Sequence, residues 1–191
     1  MTDVEAVKSE IDQIEREIEL AKERLTAARR KLPGEPVPDY VFHKTDGSEI
    51  KLSELFGDKL DLILIHNMGR SCSYCTLWAD GFNGFTQHLE NRAGFVLTSP
   101  DAPAVQAEFA ASRGWKFQTA SVKGSPFVRD MRFLLDDGYW PGVSTFRKHE
   151  DGSMTRVGKA IFGPGDDFCS VWPLLDLLQD GAKNWEPKLK Y

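Results

Sequence analysis

Cys72 and Cys75 are separated only by Ser73 and Tyr74, directly after an apolar run and directly before a helical pattern. Thiols at this spacing lie about one helical turn apart, close enough to exchange a disulfide. A cysteine at a helix N-terminus faces unpaired backbone N–H groups and the positive end of the helix dipole. Both favour the thiolate, which is the nucleophilic form. Cys72, first in the motif, is therefore expected to attack a substrate disulfide, and Cys75 to resolve the mixed disulfide that results. Two inert structural cysteines are the alternative, and the order strand, C-x-x-C, helix weighs against it.

The neighbouring residues sharpen this expectation. Arg70, two residues before Cys72, can stabilise a thiolate by charge or stand as a solvated loop cation. Ser73 and Tyr74 carry hydroxyls that can donate to the thiolate and face a substrate. A zinc site needs four ligands, and the sequence has no second C-x-x-C. Cys169, His66 and His88 would have to converge on the motif, so no metal is expected. Thr76 stands where haem attachment requires histidine, which excludes that chemistry. Cys169 reads as a small apolar residue near the last helix. The only redox group required is the Cys72–Cys75 disulfide itself, with no further cofactor.

A net charge of −5 gives no reason to expect nucleic acid as a partner. No apolar run approaches the roughly 18 residues of a membrane span. The acidic, helical N-terminus lacks the basic and apolar regions of a secretory signal, so the cytoplasm is the expected compartment. In that reducing setting a C-x-x-C is more often catalytic or metal-binding than a structural staple.

The elements that must hold the motif follow from periodicity. Val4, Val7, Ile11, Ile14, Ile18, Ala21, Leu25, Ala28 and Leu32 form a heptad seam. Taking Val4 as position a, a parallel pair of such helices sets Glu10 against Glu15 and Arg24 against Arg29. An antiparallel pair sets Glu10 against Lys31 and Glu17 against Arg24. An antiparallel homodimer through residues 4–32 is thus one expectation, and packing of the seam on its own domain is the other. Pro33-Gly34 ends this arm, and Pro36 and Pro38 suggest a stiff extended linker. The division is residues 1–32 as a helical arm and 33–191 as the main domain.

In the main domain, residues 40–43 and 50–52 flank Thr45-Asp46-Gly47 as a hairpin. Residues 60–66 are apolar on both faces, as a central strand should be. Trp78, Phe82, Phe85 and Leu89 mark the core side of the following helix, with Gly81 and Gly84 suggesting a bend or a close contact. Asp80 is expected to accept backbone N–H groups there or to be exposed. Residues 95–98 form a strand, and Ser99-Pro100-Asp101 is expected to cap a helix ending at Gly114. Residues 125–135 read as a loop or short helix. Residues 143–147 and 155–161 form a second hairpin around Glu150-Asp151-Gly152. A last helix is expected to start between Asp166 and Ser170 and end at Gly181.

The alternation of strands and helices indicates an α/β three-layer domain. With C-x-x-C at the first long strand–helix junction, the domain resembles the thioredoxin fold. The opening P-x-Y-x-F…DG…KLSELFGDK looks like the peroxiredoxin-like branch. SCSYCTLWADGFNGF, the G-W-x-F at Gly114 to Phe117, and the ending FGPGDDFCSVWPLLDLL…W-x-P-x-L-x-Y resemble a thioredoxin-like family described as predicted dithiol–disulfide oxidoreductases. That resemblance covers roughly residues 33–191 and leaves the heptad arm outside.

It implies a thioredoxin-like three-layer fold with a central mixed sheet, plus the N-terminal heptad helix. It also places His66 where thioredoxins keep a buried acid that carries a proton for the resolving cysteine. The alternative for His66 is a satisfied core histidine. Val143 and Ser144 fall on the substrate-facing segment where thioredoxins carry a cis-proline. Because a non-proline cis bond costs several kcal/mol, the Val143–Ser144 bond is expected to be trans.

Three functions compete. The first is a thiol–disulfide oxidoreductase acting on a disulfide-containing protein or small molecule and restored by a separate reductant. The second is a thiol peroxidase, although P-x-x-x-[ST]-x-x-C is absent. The third is a redox-inactive thioredoxin-like interaction module.

Overall fold

The computed structural model describes residues 3–191. The chain divides into two units, the first ending at Gly34 and the second running Glu35–Tyr191, two residues later than the expected break.

In the first unit, helix α1 (Asp3–Arg29) has acidic Asp3 and Glu5 in its first turn and Arg29 in its last, in keeping with its dipole. Gln13 donates to Glu17 one turn on, at 2.9 Å. None of its residues is buried, and the seam side chains from Val4 to Leu25 remain exposed.

The second unit is built on an eight-stranded sheet. Its strands are β1 (Glu35–Val37), β2 (Val41–His43), β3 (Glu49–Lys51), β4 (Asp61–His66), β5 (Gly94–Ser99) and β6 (Gln118–Ser121). After the small hairpin β7 (Leu134–Leu135) and β8 (Gly138–Tyr139) come β9 (Gly142–Lys148) and β10 (Met154–Ile161). The sheet order is β1-β10-β9-β4-β5-β6-β2-β3. Helix α2 (Ser73–Arg92) links β4 to its parallel neighbour β5, and α3 (Pro103–Arg113) links β5 to β6 in the same sense. The short helices α4 (Phe127–Asp130) and α5 (Val171–Asp176) follow β6 and β10.

Central β4 explains the doubly apolar run. Leu62 and Leu64 point into one cluster with Phe42, Phe127, Phe133 and Phe146. Ile65 points into the other, with Trp78 and Ala79 of α2, Phe95, Phe162 and Trp172. Burial of side chains of this size is worth roughly 1.5–3 kcal/mol each and dominates the stability of such a sheet.

Several expectations need correction. Part of the expected proline linker is an edge strand: Pro36 lies opposite Thr155, in β1, where a missing N–H leaves no interior ladder bond unmade, while Pro38 follows that strand. Buried Arg156 anchors that strand by pairing with Glu35 while donating to the Met131 carbonyl at 2.9 Å. Gly81 and Gly84 make no close contact, since a Cβ at either would meet nothing within 4 Å, and α2 runs on uninterrupted. Ala102, not Asp101, occupies the N-cap of α3, without a side-chain cap, and Pro103 opens the helix. The segment 125–135 contains α4 and β7, and the β7–β8 hairpin was not foreseen. The last helix ends at Asp176, well before Gly181.

Candidate functional site

The loop after β4 is fixed by polar contacts that set the angle at which α2 begins. Asn67 donates its backbone N–H to the Thr98 carbonyl at 2.9 Å, and its side chain accepts from the Gly69 N–H at 2.7 Å. Gly69 has φ +111°, a conformation that side chains resist, and a Cβ there would lie 3.2 Å from both carboxylate oxygens of Asp101. Asp101 in turn accepts from the Arg70 N–H at 2.8 Å. The acid expected to cap α3 therefore ties the cysteine loop to β5.

Cys72 is the N-cap of α2 and is half-buried, while Cys75 is buried; both are free thiols. The Cys75 N–H donates to the Cys72 sulfur at 3.0 Å. Cys72 is held down at about 7. Its largest cause is the Cys75 thiol donating to it, joined by the backbone N–H groups of Cys75 and Tyr74, against desolvation. Cys75 is pushed up, because it serves as that donor, because it is buried, and because it faces the charge on Cys72. The Met68 N–H reaches the Cys75 sulfur at 3.5 Å. The pair is thus asymmetric, with an accessible thiolate backed by a protonated thiol.

Of the two readings given for Arg70, the geometry agrees with the solvated loop cation. Its backbone N–H binds Asp101, its side chain is exposed, and the groups that lower Cys72 are those of Cys75 and Tyr74. His66 and Ser144 are brought together, with His66 Nε2 2.9 Å from the Ser144 hydroxyl. They lie on the face of β4 and β9 turned toward Phe133 and Phe127, whose rings stack on the imidazole at 3.7 and 5.5 Å. Helix α2 packs on the opposite face. Burial, with Lys159 and Arg156 nearby, keeps His66 well below its usual range and therefore neutral. Its Nε2 bonds Ser144 and not a cysteine, while its buried Nδ1 has no hydrogen-bond partner, so it is a core histidine only half satisfied.

Val143 and Ser144 are not in a loop. They are interior residues of β9, paired with Ile65 and Leu64 of β4 and with Ala160 and Lys159 of β10. No cis peptide bond occurs among the described residues, so the Val143–Ser144 bond is trans. Cys169 is buried in the α2-side core, with burial raising its thiol. Asp80 is a lock, not a helix-bend acceptor. It pairs with Arg113 and accepts from the Trp115 ring N–H at 2.8 Å, while Arg113 also reaches the Leu189 carbonyl at 3.0 Å. That network holds the C-terminal tail. Among the described residues, no group of three or more His, Cys, Asp or Glu is placed to hold a metal. No described helix is long and apolar enough to cross a membrane.

The feature missed in the sequence is a groove of about 550 Å³ opening beside Cys72. Tyr74 and Trp78 line it from α2, Tyr139 from the end of β8, and Trp140 and Pro141 from the chain that leaves it. Met68, Asp137, Phe162, Gly163 and Pro164 complete it. The Trp140 ring N–H donates to Asp137 at 3.0 Å, and the Trp78 ring N–H to Asp166 at 3.3 Å. The run Tyr139-Trp140-Pro141 was the available signal: three large rigid residues beside glycines, in a segment with no helical or strand period.

A family described as "Bacterial protein of unknown function (DUF899)" matches residues 3–190. The chain belongs to this family. The DUF899 match takes in α1, so the helical arm is part of the family pattern and not outside it. No curated protein matches the chain. A PrxQ variant from Xylella fastidiosa is similar in structure, with TM-score 0.58 and 13% identity over 67% of this chain and 84% of that one. A peroxiredoxin-like protein from Aquifex aeolicus gives TM-score 0.53 and 18% identity over 67% and 74%. Peroxidoxin BcpB from Mycobacterium tuberculosis gives 0.50 and 25% over 63% and 80%. This DUF899 chain therefore has the thioredoxin-like fold of the peroxiredoxin-like branch, with a mixed central sheet and an added N-terminal helix.

Proposed function

We propose that the chain is a thiol–disulfide oxidoreductase in which Cys72 attacks and Cys75 resolves. The observation that carries this reading is the asymmetry of the dithiol, with Cys72 half-exposed and held at about 7 while buried Cys75 is pushed up. The Cys72 thiolate attacks one sulfur of R–S–S–R′. An S–S bond forms to R, and R′S⁻ leaves and takes a proton from solvent. Once Cys72 is in the mixed disulfide, its charge no longer raises Cys75. Cys75 then loses its proton and attacks the Cys72 sulfur, and the second thiolate departs. The substrate is reduced to two thiols, the protein is oxidised to the Cys72–Cys75 disulfide, and an external thiol returns it to the dithiol.

The test is turnover of bis(2-hydroxyethyl) disulfide with dithiothreitol as reductant. Cys72→Ser is expected to lower kcat/KM to the uncatalysed level. Equal rates for the variant and the wild type would sink the reading. Hydrogen peroxide in the same assay addresses the thiol-peroxidase alternative suggested by the names of the fold neighbours. Peroxide consumption through a sulfenic acid at Cys72, with no disulfide turnover, would replace the first reading by the second.

A further inference from the structure

Resting on that oxidoreductase reading, we infer that the substrate is a small organic disulfide with an aromatic or apolar group, and no negative charge, beside its sulfur. Two observations carry this. First, β9 offers no open edge next to the motif. Val143 and Ser144 are paired on both sides, so their backbone groups are engaged within the sheet. An extended peptide adds to a sheet through free backbone groups, and this segment has none to give. The β9 strand therefore offers no backbone edge to a peptide, and the walls of the groove beside Cys72 supply the contacts.

Second, those walls form an apolar aromatic recess of small-molecule size, about 550 Å³. Tyr139 and Trp140 are each about two-fifths exposed at its rim. Rigid aromatic walls contribute contact area at little conformational cost. Apart from the Cys72 thiolate, Asp137 is the one charged group among the described residues lining the groove, and both carry negative charge. A carboxylate-bearing disulfide would meet repulsion without a cation in the lining to offset it, whereas a neutral aromatic disulfide fits both shape and charge.

The experiment uses the full chain, dithiothreitol, and three disulfides: bis(4-hydroxymethylbenzyl), bis(4-carboxybenzyl) and bis(2-hydroxyethyl). The first two share the same benzylic sulfur and differ in charge, and each rate is normalised to the reaction with dithiothreitol alone. The expected result is a kcat/KM at least tenfold higher for the neutral benzyl compound than for either comparator. In Trp140→Ala and Tyr139→Ala that advantage shrinks severalfold, through KM more than kcat. Equal normalised kcat/KM for the three, an advantage unchanged in both variants, or faster reduction of insulin than of the benzyl compound would overturn the inference and leave the oxidoreductase reading standing. Absence of turnover with every disulfide would remove that reading, and the inference with it.

A separate observation concerns α1. We propose that its seam docks on a second copy of this chain, antiparallel, with Ile11 facing Ala28 and Ile18 facing Ala21 of the partner helix. Each small residue on the seam then meets a large one, which is how two helices fill a shared core at close approach. The flanking charges agree with this register. Glu10 meets Lys31, Glu15 meets Lys22 and Glu17 meets Arg24 of the second copy, and only Lys8 against Arg29 opposes. A parallel pair gives like charges at Glu10–Glu15 and Arg24–Arg29 against one opposite pair, Glu17–Lys22.

Light scattering on the full chain is expected to give the mass of two chains, and deletion of residues 1–31 the mass of one. Zero-length carbodiimide coupling is expected to join Glu10 to Lys31. Within one chain α1 sets Glu10 and Arg29 roughly 30 Å apart, and Lys31 lies in the turn beyond, so such a link can form only between copies. A single-chain mass for the full protein, an unchanged dimer after the deletion, or absence of the Glu10–Lys31 link would each overturn the proposal.

Discussion

Cys75→Ser will capture substrate and fail to release it. The variant keeps the Cys72 thiolate, so mixing it with an excess of disulfide is expected to yield one equivalent of released thiol and a stable mixed disulfide at Cys72, visible by intact mass. Turnover is expected to fall by roughly a hundredfold or more, because an intramolecular resolving thiol is replaced by external thiol at millimolar concentration. Cys75→Ala separates the two roles of the residue. The largest cause lowering Cys72 is the hydrogen bond from the Cys75 side chain, which serine replaces with a hydroxyl and alanine removes.

The sign follows directly. Losing a group that favours the thiolate raises the Cys72 pKa. Iodoacetamide alkylation of wild-type Cys72 is expected to rise with pH to half its plateau at about 7. In Cys75→Ala the midpoint moves upward, toward an ordinary thiol that is only a few per cent ionised at neutral pH. Cys75→Ser should stay closer to wild type. Identical midpoints in wild type and Cys75→Ala would show that the thiol pair is not what activates Cys72.

Much of this site was legible because its signals are local. The apolar run ending at His66, the C-x-x-C and the helical period after it lie within one stretch of chain, and each maps onto β4, the N-cap or α2. What escaped the sequence depends on contacts distant along the chain. Nothing near Asp101 indicates that its carboxylate would bind the Arg70 N–H instead of capping its own helix. Nothing near Asp80 announces Arg113 and Trp115, more than thirty residues away. His66 was placed at the right depth, but a one-residue step along a strand changes the face, and the face decides whether a ring meets α2 or Phe133. The groove was hidden for the same reason, since its walls come from α2, β8 and the chain after it, and the chain after β10. Pro36 misled more simply: proline fits an edge strand as well as a linker, and only the presence of β10 alongside selects the strand.

The other large expected effect is on stability, and it reaches the site from behind. Gly142 opens β9, opposite His66 on one side and Ile161 on the other. A Cβ there would lie 2.3 Å from the Ala160 carbonyl oxygen and 2.4 Å from the Phe133 ring. The oxygen belongs to the β10 backbone and cannot rotate away, and Phe133 is fully buried against His66. Gly142→Ala therefore has to spread β9 from β10 or drive Phe133 off the imidazole. Overpacking of this kind costs about 1–3 kcal/mol, and more where backbone is the obstacle. Gly81→Ala is the matched control. It adds the same methyl group within α2, where nothing lies within 4 Å, so helix propensity should stabilise the protein by roughly 0.5–1 kcal/mol. Urea unfolding should thus move the midpoint down for the first variant and up for the second. Gly142 also immediately follows Trp140 and Pro141, so any protein that survives the substitution should show a raised KM for benzyl disulfides with the Cys72 alkylation midpoint unchanged. A Gly142→Ala protein as stable as wild type would mean that β9 and β10 have slack at that point, and the close packing of Phe133 on His66 would then not be what holds the groove wall in place.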